Sequence, residues 1–123
     1  MPLLEIELVG GQVAADAAQR IADAAAKVFD AAPQTTWVRL RTLAAGGYAE
    51  NGGAEPGVAP VFVTVRKRAN PQGETLRAEA RSLTEAVARV CGRPKEQVHV
   101  CYEPAAAGRQ AFGGELVEED AWH

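Results

Sequence analysis

Cysteine, histidine and aromatic side chains are scarce in this chain of 123 residues. Its two cysteines, Cys91 and Cys101, are too few for the disulfide framework of a small secreted protein. Only His99 and His123 could join them as nitrogen ligands, and this sparse set does not predict a zinc site. Both thiols are therefore expected to remain reduced in a cytoplasmic protein.

Excess positive charge and long apolar runs are also lacking. Thirteen Lys and Arg against sixteen Asp and Glu leave a net charge of −3, whereas nucleic-acid binding normally requires a basic face. No apolar run approaches the roughly 18–20 residues that cross a bilayer. The start, Met1 to Glu7, has no basic segment followed by an apolar one, so it does not resemble a secretory signal. Neither a nucleic-acid partner nor a membrane partner is expected.

What the chain does contain is typical of one folded domain, which we expect to span 1–123. It is 47% hydrophobic and 24% charged. The same order of predicted elements occurs twice along it: a strand, a turn, an amphipathic helix, a second strand and a glycine-containing loop. The first copy has a strand at 3–9, a helix at 14–31, a strand that begins with 37–41 and a loop at 44–57; the second has a strand at 60–68, a turn at 70–73, a helix at 74–91, a strand at 98–102 and a loop ending at 112–116. The repeats cover about 2–57 and 60–117, with a short tail at 118–123.

Two strand–helix–strand units side by side predict an α+β fold, with a four-stranded mixed sheet and two helices on one face. Alternation along the second strand predicts that Val38 and Leu40 face the core, whereas Arg39 and Arg41 face the other way. In the fourth strand the corresponding core side is Val98, Val100 and Tyr102, and the opposite side is His99 and Cys101. Gly92 is the predicted C-cap of the second helix. The sheet face without helices should be buried against other subunits.

Two stretches, taken together with the duplication, resemble a known family. One is the start, MPLLEIELVGG, with proline directly after the initiator Met, and the other is the end of the second copy, VHVCYEPAAAGRQAFGGEL. Over roughly 2–117 the chain resembles the tautomerase superfamily, and in particular its fused, double-length 4-oxalocrotonate tautomerase-like members. Because fused members assemble as trimers, the resemblance implies a homotrimer. It also implies proton transfer in a small-molecule enol, dienol or 2-oxo acid, without any cofactor.

Pro2 is the predicted catalytic residue. Because a small residue after Met normally permits removal of Met1, the expected terminus is the secondary amine of proline. An α-amino group has a pKa near ~8, and burial together with neighbouring cations lowers that pKa toward the working pH. Such an amine can act as a general base, whereas with Met1 retained the Pro2 nitrogen is an amide without a basic lone pair. The competing interpretation is that Pro2 only opens the first strand.

Four further residues are candidate substrate contacts, as the resemblance implies. Arg68 matches an arginine that ends the corresponding strand in fused dehalogenases and decarboxylases. Arg39 matches the arginine of the second strand in short tautomerases, with Arg41 as the alternative arginine of that strand to face the pocket. A guanidinium there would hold a substrate carboxylate in bidentate fashion. His99 takes the place of Arg39 in the second copy, as a donor to a carbonyl, and Phe112 would form an apolar wall. The competing interpretation for each is an ordinary surface, core or interface position.

Departures from the family pattern narrow the expected chemistry. Gln12 stands where short tautomerases carry an arginine, while 33–36 and 109–111 lack the acids of the decarboxylases and dehalogenases. Keto–enol or double-bond isomerisation is therefore the favoured reaction. The alternatives are a non-catalytic binding or assembly module, favoured if Met1 is retained, and a decarboxylase- or dehalogenase-type relative.

Overall fold

The computed structural model describes residues 1–118, and its main elements follow the order expected from the sequence. They are β1 (Leu3–Val9), α1 (Ala17–Phe29), β2 (Trp37–Leu43), β3 (Val61–Arg66), α2 (Gly73–Cys91), β4 (Val98–Tyr102), β5 (Ala111–Phe112) and β6 (Glu115–Leu116). The predicted tail 118–123 lies outside the described residues from 119 onward. Within residues 1–118, no helix is long and apolar enough to cross a membrane.

Four strands form one mixed sheet in the order β2-β1-β3-β4. β1 and β2 run parallel with Leu3 opposite Trp37, and β3 and β4 run parallel with Val61 opposite Val98. The two halves meet along the antiparallel pair β1 and β3, in which Leu3 lies opposite Arg66. The predicted α+β fold is thus confirmed. At one end of the sheet, the beginnings of β1 and β2 meet the end of β3.

Both helices pack on the same face of this sheet, because every second strand residue is apolar and faces them. The core residues that are at most 1% exposed are Leu4, Ile6 and Leu8 of β1, Val61, Val63 and Val65 of β3, Ile21 and Ala25 of α1, and Leu83 and Val87 of α2. Full burial of a leucine or isoleucine side chain stabilises a fold by about 1.5–3 kcal/mol. This shared core holds the two strand–helix–strand units together.

The opposite face of the sheet, here called the open face, has no helix over it within residues 1–118. Arg39 Nη1 lies 2.8 Å from Glu5 Oε1, and Arg41 Nε lies 3.1 Å from Glu7 Oε2. Both arginine side chains are 70% exposed, so each pair contributes at most about 1 kcal/mol. The intervening residues of β2, and the alternate residues of β4, pack against the core. The predicted alternation of both strands is confirmed.

The helix ends confirm one predicted boundary and correct another. The sequence predicts a first helix over 14–31, but α1 begins at Ala17 and ends at Phe29. Before it, the N–H of Ala17 donates to the carbonyl of Ala14 over 3.0 Å in a turn. After it, Asp30 has a φ of 51°, a left-handed conformation that stops the helix. Gly92 follows α2 with a φ of 65°, which confirms it as the C-cap that the sequence predicts.

Candidate active site

The candidate site is built around Pro2, at the end of the sheet where β1 begins. Pro2 is buried and immediately precedes the strand. Its carbonyl oxygen accepts a hydrogen bond of 2.9 Å from the backbone N–H of Trp37. The next residue, Leu3, pairs with Arg66 on the other side. The start of β2 therefore holds the backbone of Pro2 on one side, and the end of β3 pairs with the next residue, Leu3, on the other.

An amine at this end of the sheet is less basic than one in water. Burial lowers the pKa of the Met1 α-amino group from its ordinary value of 8.0, because desolvation disfavours the charged form. Met1 is partly buried, whereas Pro2 is buried.

An aromatic pair lies at the start of β2, the strand whose backbone is hydrogen-bonded to Pro2. The ring of Phe112 packs edge-to-face on the ring of Trp37, with centroids 5.0 Å apart and planes at 82°. Phe112 reaches the start of β2 because β5 and β6 fold into a hairpin. The role of Phe112 as an apolar wall of the site stays a prediction. Trp37 is a neighbour of Pro2 that sequence reasoning had treated only as part of a strand.

Arg68 lies at the same end of the sheet but beyond β3, which ends at Arg66 rather than at 68. Its Nη2 donates to the backbone carbonyl of Glu118 over 2.6 Å. Its own carbonyl oxygen accepts from the N–H of Ala107 over 3.2 Å. The last loop and the segment after β6 therefore hold Arg68 in place, with its guanidinium on a backbone acceptor.

Arg39 and His99 lie on the open face and are not brought to Pro2 within one chain. Arg39 is two residues beyond Trp37 along β2, a distance of about 7 Å at roughly 3.3 Å per residue. His99 lies opposite Phe62, near the far end of the sheet, with ring centroids 5.8 Å apart. Their substrate contacts therefore require a neighbouring subunit whose open face meets a Pro2 end. These two roles stay predictions.

Arg66 and Arg109 form a cluster of positive charge that sequence reasoning did not assign to substrate. Both line a cavity of about 220 Å³ at the ends of β3 and β4, together with Glu103 and Gln110. Arg66 Nη1 lies 3.5 Å from the side-chain oxygen of Gln110. The run at 66–68 is visible in the sequence, but which of its side chains reaches the cavity depends on where β3 ends.

A half-buried polar network lies on the helix side of the same sheet end. Glu79 Oε1 is 2.6 Å from Lys67 Nζ, and Glu79 Oε2 accepts from the hydroxyl of Tyr102 over 2.7 Å. The Glu79 and Lys67 side chains are only 12% and 18% exposed, and Lys67 Nζ lies 4.8 Å from the ring centroid of Phe29. Burial, and then the hydrogen bond to Glu79, raise the pKa of Tyr102. The network fixes α2 to the ends of β3 and β4.

A larger groove, of about 580 Å³, runs between α1 and the start of β2. Trp37 is one of the residues that line this groove. Among the described residues that line it, Asp23 is the only charged one, and its Oδ1 accepts from Gln19 over 3.0 Å. The groove is therefore larger than the cavity beside Arg66 but offers no cation for an acidic substrate. The candidate site is therefore placed at Pro2 rather than in this groove, although the groove is larger than the cavity beside Arg66.

Metal ligands and disulfides have no candidates in the part of the chain that the structure describes. No group of three or more His, Cys, Asp or Glu side chains in residues 1–118 could hold a metal ion. Cys91 and Cys101 are free thiols, and burial raises the pKa of Cys91.

Comparison with known proteins bears on the fold. No family model and no curated protein matches the chain. A fused 4-OT, described as a wild-type symmetric trimer, is 21% identical, with a TM-score of 0.77 over 94% of each chain. The protein Pt0534, solved after inactivation by 2-oxo-3-pentynoate, is 20% identical, with a TM-score of 0.73 over 94% of each chain. FG41 malonate semialdehyde decarboxylase, inhibited by 3-bromopropiolate, is 20% identical, with a TM-score of 0.66 over 90% of each chain.

These likenesses extend over almost the whole chain, but identities of 20–21% show the fold alone. The chain has the tautomerase-superfamily fold in its fused, two-unit form. The resemblance seen in the sequence is confirmed at that level.

Proposed function

We propose that this chain is a cofactor-independent tautomerase or isomerase that moves a proton within an enol, dienol or 2-oxo acid. Pro2 is the general base, acting through the secondary amine that removal of Met1 leaves. The observation that carries the proposal is the buried position of Pro2 at the start of β1, where its carbonyl oxygen accepts a hydrogen bond from the backbone N–H of Trp37. The fold shared with fused 4-OT structures supports it.

The proposed reaction needs only a neutral amine. Its nitrogen takes a proton from a substrate hydroxyl or α-carbon and returns it to another carbon, so no co-reactant is consumed. Desolvation at the sheet end favours the neutral amine and brings its pKa toward the working pH, where general-base catalysis is most efficient. Catalysis of this kind contributes about 10²–10⁴-fold to the rate.

Arginines anchor the substrate carboxylate in this proposal and stabilise charge that develops on the 2-oxygen. Arg68 is the proposed anchor at the end of β3, because charge-assisted hydrogen bonds to a carboxylate are roughly twice as strong as neutral ones. Arg39 and His99 act from the open face of a neighbouring subunit. Phe112 forms the apolar wall that helps to keep the amine neutral.

The proposed assembly is a homotrimer of about 39 kDa, three times the chain mass of 13.0 kDa. The open face carries Phe62, which is 36% exposed, beside the two arginine–glutamate pairs, and another subunit would cover it. Fused 4-OT structures are described as trimers. Sedimentation equilibrium at micromolar concentration should therefore give about three times 13.0 kDa, and a stable monomer would contradict the assembly.

The test of Pro2 compares protein whose Met1 is removed, as verified by intact mass, with protein that retains it. Substrates are phenylenolpyruvate and 2-hydroxymuconate, and kcat/KM is measured on each. Pro2→Ala in processed protein should lower kcat/KM at least ~10-fold, because a primary amine differs in basicity and placement. Protein that retains Met1 should lose more, since an amide nitrogen has no basic lone pair. Equal turnover with and without Met1 would remove Pro2 as the base and favour a non-catalytic module.

A decarboxylase is the second candidate, because the fold also matches malonate semialdehyde decarboxylase. Against it, 33–36 carries no acid where the fused decarboxylases are expected to have one. Release of CO₂ from malonate semialdehyde, measured beside enol ketonisation on the same preparation, separates the two reactions. We expect ketonisation to be the faster.

A further inference from the structure

The cavity at the ends of β3 and β4 is built by the last loop of the second unit. The N–H of Glu103 donates to the carbonyl of Val65, near the end of β3, over 2.8 Å. The N–H groups of Arg109 and Gln110 both donate to the carbonyl of Ala106, over 2.8 and 3.0 Å. This turn brings loop side chains against Arg66, so that they line one cavity of about 220 Å³.

The charges in this cavity favour an anion. Its lining has the two guanidinium groups of Arg66 and Arg109 and the single carboxylate of Glu103. Arg39 and Arg41 each hold a glutamate, but within residues 1–118 neither cavity arginine has a carboxylate partner. Among these residues, Arg66 has only an amide oxygen at 3.5 Å, the weak limit of a hydrogen bond. Most of the N–H donors of both groups therefore remain available to a ligand.

The size and place of the cavity restrict that ligand. Pockets for drug-sized molecules occupy roughly 300–1,000 Å³, so about 220 Å³ fits a short-chain acid. Arg66 pairs with Leu3, the residue that follows Pro2, and neighbouring strands are about 4.8 Å apart. The cavity thus lies within the length of a short acid from the start of β1.

We propose that this cavity binds the carboxylate of a short-chain acid, with Arg66 and Arg109 as its paired cations. The inference rests on the proposed function in taking that acid to be the substrate of Pro2. The site is separate from Arg68, which is then left to stabilise the 2-oxygen. Arg66 and Arg109 become specificity-determining residues, and Glu103 limits the affinity by opposing the bound charge.

The test uses propionate, an unreactive three-carbon acid, titrated into the isotope-labelled full chain and followed by amide chemical shifts. Shifts should concentrate at 66 and at 103–110. Arg66→Gln and Arg109→Gln should each raise the Kd at least ~10-fold, because each removes a charge-assisted contact. Glu103→Gln should lower the Kd. The matched control is Arg77→Gln, an exposed arginine of α2 paired with Glu74, and it should leave the Kd unchanged.

Two outcomes overturn the anion site: an unchanged Kd in Arg109→Gln, or weaker binding in Glu103→Gln. Arg109 is exposed in a loop, so its variant remains decisive even if Arg66→Gln folds poorly. Pro2→Ala separates this inference from the proposed base. Propionate binding retained in Pro2→Ala while turnover is lost supports both. Binding and turnover both retained support the anion site but overturn Pro2 as the base.

Discussion

Replacement of Glu79 by alanine should destabilise the fold strongly, because this carboxylate is the centre of the half-buried network with Lys67 and Tyr102. Glu79 is 12% exposed and receives the Lys67 ammonium and the Tyr102 hydroxyl at 2.6 and 2.7 Å. Its loss leaves an ammonium that is only 18% exposed without an anion. Removal of one partner from a fully buried pair costs about 3–5 kcal/mol, and a hydrogen bond to a charged group contributes about 1.5–3 kcal/mol. Since both side chains keep some exposure, we expect a loss of about 2–4 kcal/mol.

The assay is urea unfolding at one fixed protein concentration, because assembly adds to the apparent stability by mass action. Glu85→Ala is the matched control: it lies in the same helix, is exposed, and should change the free energy of unfolding by less than about 0.5 kcal/mol. The double variant Glu79→Ala with Lys67→Met should recover part of the loss, since no unpaired charge remains buried. Equal stability of Glu79→Ala and Glu85→Ala would refute the network as a stabilising element.

Three further predictions concern titration, the core and the site. Both tyrosines should ionise only above the ordinary phenol pKa of about 10, because a hydrogen bond to Glu50 raises the pKa of Tyr48 and burial raises that of Tyr102. Because folding raises both pKa values, the unfolded chain loses these protons at a lower pH than the folded one. The contribution of the two protonated tyrosines to stability is therefore complete below pH ~10 and declines as the pH rises further. Phenolate absorbance at lower pH would contradict this. Leu83→Ala, at a fully buried position, should lower the free energy of unfolding by about 2–5 kcal/mol. A loss of less than about 1 kcal/mol, measured by urea unfolding, would contradict the close packing of Leu83 in the core. Arg68→Ala should lower kcat/KM by roughly 10–150-fold with the trimer intact in sedimentation, and unchanged kinetics would make Arg68 structural.

The sheet and its helices could be predicted because their signals are local and occur in both copies. Alternation in β2 and β4 gave the correct core side, since each strand pairs its whole length in one register. The hairpin of β5 and β6 could not be predicted, because two residues per strand are too few to show alternation. Its turn depends on Gly113 and Gly114, with φ of 58° and 90°, a conformation that glycine adopts without strain.

In the candidate site, too, some residues could be placed from the sequence and others could not. Pro2 could be placed from the sequence, because a residue that starts the first strand must lie at one end of the sheet. The half-buried network of Glu79 could not be predicted, since Glu79 is 12 residues away from Lys67 and 23 residues away from Tyr102 along the chain. Likewise Arg66 and Gln110 are 44 residues apart and meet only through the strand order. Any contribution of Arg39 to substrate binding depends on a second subunit, which one chain does not specify.

The most direct measurement of the central claim is the reaction of Met-processed protein with 2-oxo-3-pentynoate, the inactivator of the structurally similar Pt0534. A free secondary amine adds to the conjugated alkyne, a C–N bond forms, and the amine proton passes to the adjacent carbon, so the whole inhibitor mass is retained. We predict one adduct per chain, located at Pro2, with turnover lost and a rate that rises with pH through an amine pKa below ~8. Protein that retains Met1 should form no adduct at Pro2. An adduct at another residue, or inactivation that proceeds equally with Met1 retained, would contradict the claim that Pro2 is the base.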